Sequence, residues 1–258
     1  MKKFAALSIT LAAVLGFGIQ NANAASVSPT LTLTTDSSLT VFVSTLGGAT
    51  TGSLVSQLSG TLDVTIDDQT PVSSTISVDD GEIDLSDDSL FLDLSLFGGV
   101  DAATIGLGVN AITSDTVALT NTSGGLNPFT STFDPGAGTG LAATIDEGVL
   151  TYNGTGPLGG ILGMGTFDFT TDNLSFTLGS VGQIGLLTQN QTGNTVDVTV
   201  SVPVSFIDQI ATDPVTIDIT LTGAIVATGQ YIIPEPSTLV LLGLAGLGLV
   251  PAWRRIRK

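Results

Sequence analysis

Hydrophobic and polar residues alternate along much of this chain. Over Thr195 to Phe206, Val196, Val198, Val200, Val202, Val204 and Phe206 fall on one face, against Asp197, Thr199, Ser201, Pro203 and Ser205 on the other. Val215, Ile217, Ile219 and Leu221 repeat the pattern against Thr216, Asp218 and Thr220. Leu62, Val64 and Ile66 alternate with Asp63, Thr65 and Asp67, and Phe167 and Phe169 with Asp168 and Thr170. A period of two, carried by Val, Ile and Thr, predicts half-buried strands. Shorter strands are predicted at Leu31–Leu33, Leu39–Val43, Thr75–Val78, Leu90–Leu96, Thr104–Val109, Thr116–Leu119 and Leu174–Leu178. Gly98-Gly99, Gly124-Gly125, Gly136 to Gly140 and Gly154 to Gly160 punctuate them. Pro203 has no N–H for a ladder, which predicts an edge strand or a bulge there. No stretch of the body combines helical spacing with a helix-forming composition. The expectation is an all-β fold, an antiparallel β-sandwich or a soluble β-barrel. An outer-membrane barrel also alternates, but it would carry aromatic girdles and would not need a C-terminal helix.

Both ends break the alternation. Lys2 and Lys3 precede an apolar run from Phe4 to Ile19, and Gln20, Asn21 and the small residues Ala22-Asn23-Ala24 follow. This order predicts a secretory signal peptide over residues 1–24, cut after Ala24 by signal peptidase. At the other end Leu239 to Trp253 is apolar throughout, and Arg254, Arg255, Arg257 and Lys258 finish the chain. The run is short of the roughly 20 residues of a usual spanning helix. Ser237 and Thr238 can extend it, and arginines can snorkel at its far end. A transmembrane helix is therefore expected, with Trp253 at the interface and the basic tail held in the cytoplasm. Three parts result: 1–24, an acidic β-rich exported domain over 25–233, and 234–258.

Charge sharpens this division. All six basic residues of the 258 lie at the two tips, and every one of the 23 acidic residues except Glu235 lies between Ala25 and Ile233. A body without Lys, Arg or His repels polyanions, so nucleic acid is excluded as a partner. Divalent cations or a positively charged partner suit it better. The chain has no Cys and no His. Thiol catalysis, a Ser-His-Asp triad and imidazole or thiolate metal sites are thereby excluded, and no enzyme activity is expected. One acidic segment is a candidate metal site: Asp79, Asp80, Glu82, Asp84, Asp87 and Asp88 offer closely spaced hard oxygen ligands of the kind calcium takes. Neither the EF-hand order nor a β-roll repeat is present. The alternative reading is a solvated acidic loop and no cofactor.

Pro234-Glu235-Pro236, an apolar segment with several glycines and a terminal basic cluster together resemble the PEP-CTERM sorting signal. The resemblance covers Pro234 to Lys258. It implies recognition by an exosortase, a membrane-embedded cysteine transpeptidase, with cleavage near the motif. Pro234, Glu235 and Pro236 would be the recognition residues, and Arg254, Arg255, Arg257 and Lys258 the retention signal. It also implies an inner-membrane-anchored intermediate, then delivery to the cell surface or extracellular matrix of a biofilm-forming bacterium. The expected function is a non-catalytic structural protein of that surface or matrix. The alternative is a carbohydrate-binding or calcium-dependent adhesion module of the exopolysaccharide matrix.

Overall fold

The computed structural model describes residues 26–45, 50–67, 73–93, 98–122, 127–158, 163–178, 183–212 and 215–233. The expected signal peptide over 1–24 and the expected sorting segment with its transmembrane helix over 234–258 lie outside the described residues. What is described is strand, apart from turns and one 3-10 turn at Gly156–Leu158. Among the described residues no helix is long and apolar enough to cross a membrane.

Among the described residues fifteen strands form one sheet. They are β1 (Thr30–Leu33), β2 (Ser38–Thr45), β3 (Thr50–Ile66), β4 (Thr75–Leu85), β5 (Asp88–Asp93), β6 (Gly99–Ser114), β7 (Val117–Ala118), β8 (Thr120–Asn121), β9 (Phe129–Phe133), β10 (Leu141–Gly154), β11 (Met164–Asp168), β12 (Leu174–Leu178), β13 (Gly185–Thr192), β14 (Thr195–Thr212) and β15 (Val215–Ile232). Every pairing is antiparallel, as short loops between successive strands dictate.

The ladders run into a circuit that the chain itself closes at one step. From β3 it passes to β4, and β4 pairs with β7. Leu119 alone separates β7 from β8, which pairs with β9 on the other side. The path continues through β13, β14 and β15 to β1, which returns to β3. The short crossing from Val117 to Asn121 thus links β4 to β9, each of which it pairs with in turn. The Leu119 N–H donates to the Ser74 carbonyl (2.8 Å) at the junction.

Alternation fills the interior of this circuit. Val196, Val198, Val200, Val202 and Val204 of β14 are all buried, and they share one cluster with Leu31, Leu62, Val64, Ile66, Ile76, Ile112, Leu187 and Ile225. Each such side chain contributes about 1.5–3 kcal/mol by leaving water. A polar chain crosses the same region. The Ser73 hydroxyl donates to Gln189 Oε1 (3.0 Å), and the Gln189 amide donates to the Tyr231 hydroxyl (3.0 Å). Gln189 is buried on β13, and these two bonds satisfy it there.

Outside the circuit, β6 leaves β4 to pair with β5 on one side and β10 on the other, and β10 carries β11 and β12. Phe176 of β12 meets Phe206 of β14, ring centroids 5.7 Å apart, which ties this wing back to the circuit.

Pro203 lies on β14 opposite Ala224, beyond Ser201, the last residue that β13 pairs. That side of β14 is an edge there, so the missing N–H costs no ladder bond. One expected alternation is corrected. Phe169 falls past the end of β11, in a turn, and is buried while Phe167 is exposed. The Phe169 N–H donates to the Gly148 carbonyl (3.0 Å), which bends the chain and packs the two rings edge to face at 4.8 Å. The expected strand at Thr116–Leu119 is likewise split into β7 and β8 by its change of partner.

Candidate functional site

The acidic segment is extended rather than looped. Asp79 is the extra residue at a register shift between β3 and β4, where Asp63 faces Asp80 and Val64 faces Val78. Its carboxylate accepts bonds from the Ser77 hydroxyl (2.9 Å) and from Thr65. Asp80 accepts the Gly81 N–H (2.8 Å). Glu82 and Asp84 follow on the exposed side of β4. Asp87 accepts the Gly106 N–H (2.7 Å) and Asp88 the Ser86 hydroxyl (3.0 Å). The six carboxylates are thus strung along β4, the link after it and the start of β5, and several accept hydrogen bonds where they stand. Among the described residues no group of three or more acidic side chains comes together to hold a metal.

A second arrangement was not legible in the sequence. It lies on the wing, where β5, β6, β10 and β11 run side by side. Register aligns Phe91 with Asp101, Asp101 with Asn153, and Asn153 with Met164. Strand side chains alternate faces, so this row of four projects from one face of the sheet. Two residues along each strand lies a parallel row of short side chains, Ser89, Ala103, Thr151 and Thr166. Between the two rows runs the backbone of Leu90, Ala102, Tyr152 and Gly165. The Tyr152 side chain belongs to the opposite face. There it covers Gly165, where an added Cβ would lie 2.2 Å from its ring.

These twelve residues line a concavity of about 450 Å³. Phe91 is 53% exposed and Met164 81%. Asp101 and Asn153 are exposed too, and neither side chain has a hydrogen-bond partner among the described residues. The row therefore presents a ring, a carboxylate, an amide and a thioether to solvent, in that order.

The expected sorting residues Pro234, Glu235, Pro236, Arg254, Arg255, Arg257 and Lys258 lie outside the described residues. The strand that leads to them is well fixed. β15 ends at Ile232, and the Ile233 N–H donates to the Asn194 carbonyl (2.8 Å). The fold is thus an all-β antiparallel body whose last strand runs directly into a C-terminal segment of a different character.

That segment matches a known sorting motif. Residues 233–258 match the family model of the PEP-CTERM protein-sorting motif. The chain thus carries a PEP-CTERM sorting motif at these residues, a motif that indicates export and exosortase targeting. No curated protein and no solved structure matched the chain in comparison.

Proposed function

We propose that this chain is an exosortase-processed structural protein of the cell surface or extracellular matrix, with a non-catalytic β domain. The match at residues 233–258 carries the reading, because it follows directly on the last strand of the body. Signal peptidase removes residues 1–24, the basic tail retains the C-terminus in the inner membrane, and exosortase then releases the body outward. The domain is a soluble antiparallel barrel with a lateral wing, a reading supported by the ladders that run from β3 round to β1 and are joined between β7 and β8 by the chain. A body without His, Cys, Lys or Arg supports the non-catalytic assignment.

One observation favours an added binding role. The row Phe91, Asp101, Asn153 and Met164 is exposed, and its Asp and Asn are unpartnered, which suits adhesion to matrix carbohydrate better than a purely structural surface.

Mass spectrometry of the surface fraction tests the sorting pathway. The expected chain begins at Ala25 and lacks Leu239 to Trp253, and deleting the exosortase leaves it intact in the membrane. An intact C-terminus in surface protein from wild-type cells would overturn the proposal.

A further inference from the structure

We infer that the trough beside the row Phe91–Asp101–Asn153–Met164 binds an extended oligosaccharide of amino sugars. This rests on the surface-protein reading above and names the chemistry of its ligand.

The dimensions suit a polymer. Neighbouring strands lie about 4.8 Å apart, so the row offers one side chain at each such step across the sheet. Successive pyranose rings of an extended chain repeat at close to that spacing. β11 ends the sheet on one side, and on the other β5 has no further ladder partner among the described residues. The short side chains of Ser89, Ala103, Thr151 and Thr166 give the trough its depth. Its volume of about 450 Å³ falls in the range of small-ligand sites, about 300–1,000 Å³.

The chemistry of the row selects the sugar. Phe91 and Met164 are apolar surfaces that suit the C–H face of a pyranose ring. The Asn153 amide both donates and accepts, as a hydroxyl requires. Asp101 stands between them and accepts only. In a body without one cation, its carboxylate has no positive side chain to meet. An ammonium group fits best there, because a charge-assisted hydrogen bond to a carboxylate is about twice as strong as a neutral one. Phe91 is the directly opposed cross-strand neighbour of Asp101, so the same ammonium lies within reach of the ring face, about 6 Å. A uronic acid or sulfated polymer would set its own negative charge against Asp101, with no cation in the body to offset it.

The test is calorimetric titration of the full-length protein in non-ionic detergent. The probes are a glucosamine hexamer, its fully N-acetylated form, a galacturonic acid hexamer and hexalysine. Asp101→Asn and Phe91→Ala are compared with Asp36→Asn, an exposed carboxylate away from the wing. The glucosamine hexamer is expected to bind. Asp101→Asn and Phe91→Ala should each weaken it about tenfold or more, while Asp36→Asn leaves it unchanged. N-acetylation should weaken binding, and the galacturonic acid hexamer should not bind. The mutated side chains are exposed, and melting curves confirm that the variants fold. Equal losses in all three variants would mean diffuse attraction to an acidic surface and would overturn the site. So would hexalysine binding as tightly as the glucosamine hexamer, or no saccharide binding at all. None of these outcomes bears on C-terminal processing, which mass spectrometry reads separately.

Discussion

The Ser37 hydroxyl holds both backbone groups of Val226: it accepts the Val226 N–H (2.9 Å) and donates to the Val226 carbonyl (2.8 Å). The reason lies in β1 and β2. Both run between β3 and β15, and the chain gains two residues against each neighbour between Leu33 and Ser38. The interruption leaves a gap in the ladder opposite Val226. Thr34 also donates its N–H to the Val226 carbonyl (2.8 Å), and Ser37 completes the pairing from a fully buried position. A buried group deprived of its partner costs about 1–3 kcal/mol. Ser37→Ala should lower the melting temperature by several degrees, at about 2–4 °C per kcal/mol for a body of this size. Thr35→Ala, at an exposed neighbour, should stay within about 0.5 kcal/mol of wild type. Thermal unfolding of the two variants checks this, and equal melting points would refute the bridging role.

Gly60 and Gly193 separate two reasons for glycine. Gly60 has φ +131° on β3, and a Cβ there would lie 2.0 Å from the Glu82 carbonyl oxygen. Gly193 has φ +64° in the two-residue loop between Thr192 and Thr195, with nothing within 4 Å of an added Cβ. It occupies the first central position of the turn, where a positive φ suits the strand twist. Gly193→Ala should cost about 1–2 kcal/mol, the price of left-handed backbone alone. Gly60→Ala adds a collision with β4 and should cost more. Urea unfolding midpoints test the order, and a Gly60→Ala midpoint above that of Gly193→Ala would contradict it.

The parts of the fold legible from sequence are those where one face is buried without interruption. β14 buries five valines in strict alternation, so its identity and its inward face could be read directly. β10 could not. Its pairing with β6 shifts register at three places, so its apolar positions fall out of phase. β13 hides its inward face because Gln189 is buried there, satisfied by Ser73 just ahead of β4 and by Tyr231 of β15. The acidic segment was legible as composition, but its extended shape depends on pairing with β3. The row on the wing was illegible for a related reason. Asp101 and Asn153 become neighbours only through the register of β6 and β10, which no local pattern fixes.

Charge distribution makes the stability of the body depend on salt with a definite sign. Between Ala25 and Ile233 no cation exists to form an ion pair, so the interactions among ionised side chains there are repulsive. Asp63 and Asp80 face each other directly across β3 and β4, and both are exposed. Like charges in that position destabilise a sheet. Raising ionic strength from about 0.01 M to 0.15 M shortens the screening length from about 30 Å to 8 Å. The melting temperature should rise over that interval. Asp80→Asn should raise it at low salt, and the gain should shrink at high salt. Calcium and magnesium at equal millimolar concentration should act alike if they serve only as counterions. A rise given by calcium alone, and lost in Asp80→Asn, would instead establish a calcium site on β4.

The basic tail governs release in the proposed pathway. Once signal peptidase has cut after Ala24, Lys2 and Lys3 no longer hold the chain, and the body is acidic throughout. Only Leu239 to Trp253 and the four cations behind it then oppose complete passage across the membrane. Each of those cations costs about 2.5–3.5 kcal/mol at the centre of a bilayer, whereas neutral polar residues cost less. Replacing Arg254, Arg255, Arg257 and Lys258 by glutamine should therefore let the C-terminus cross before exosortase acts. The variant should appear in the medium with its C-terminal segment intact. Replacing the three arginines by lysine should preserve processing, because retention needs charge and not guanidinium. Fractionation followed by intact-mass measurement decides the matter. A glutamine variant still held in the membrane and still trimmed would show that the apolar segment anchors the chain without its charges.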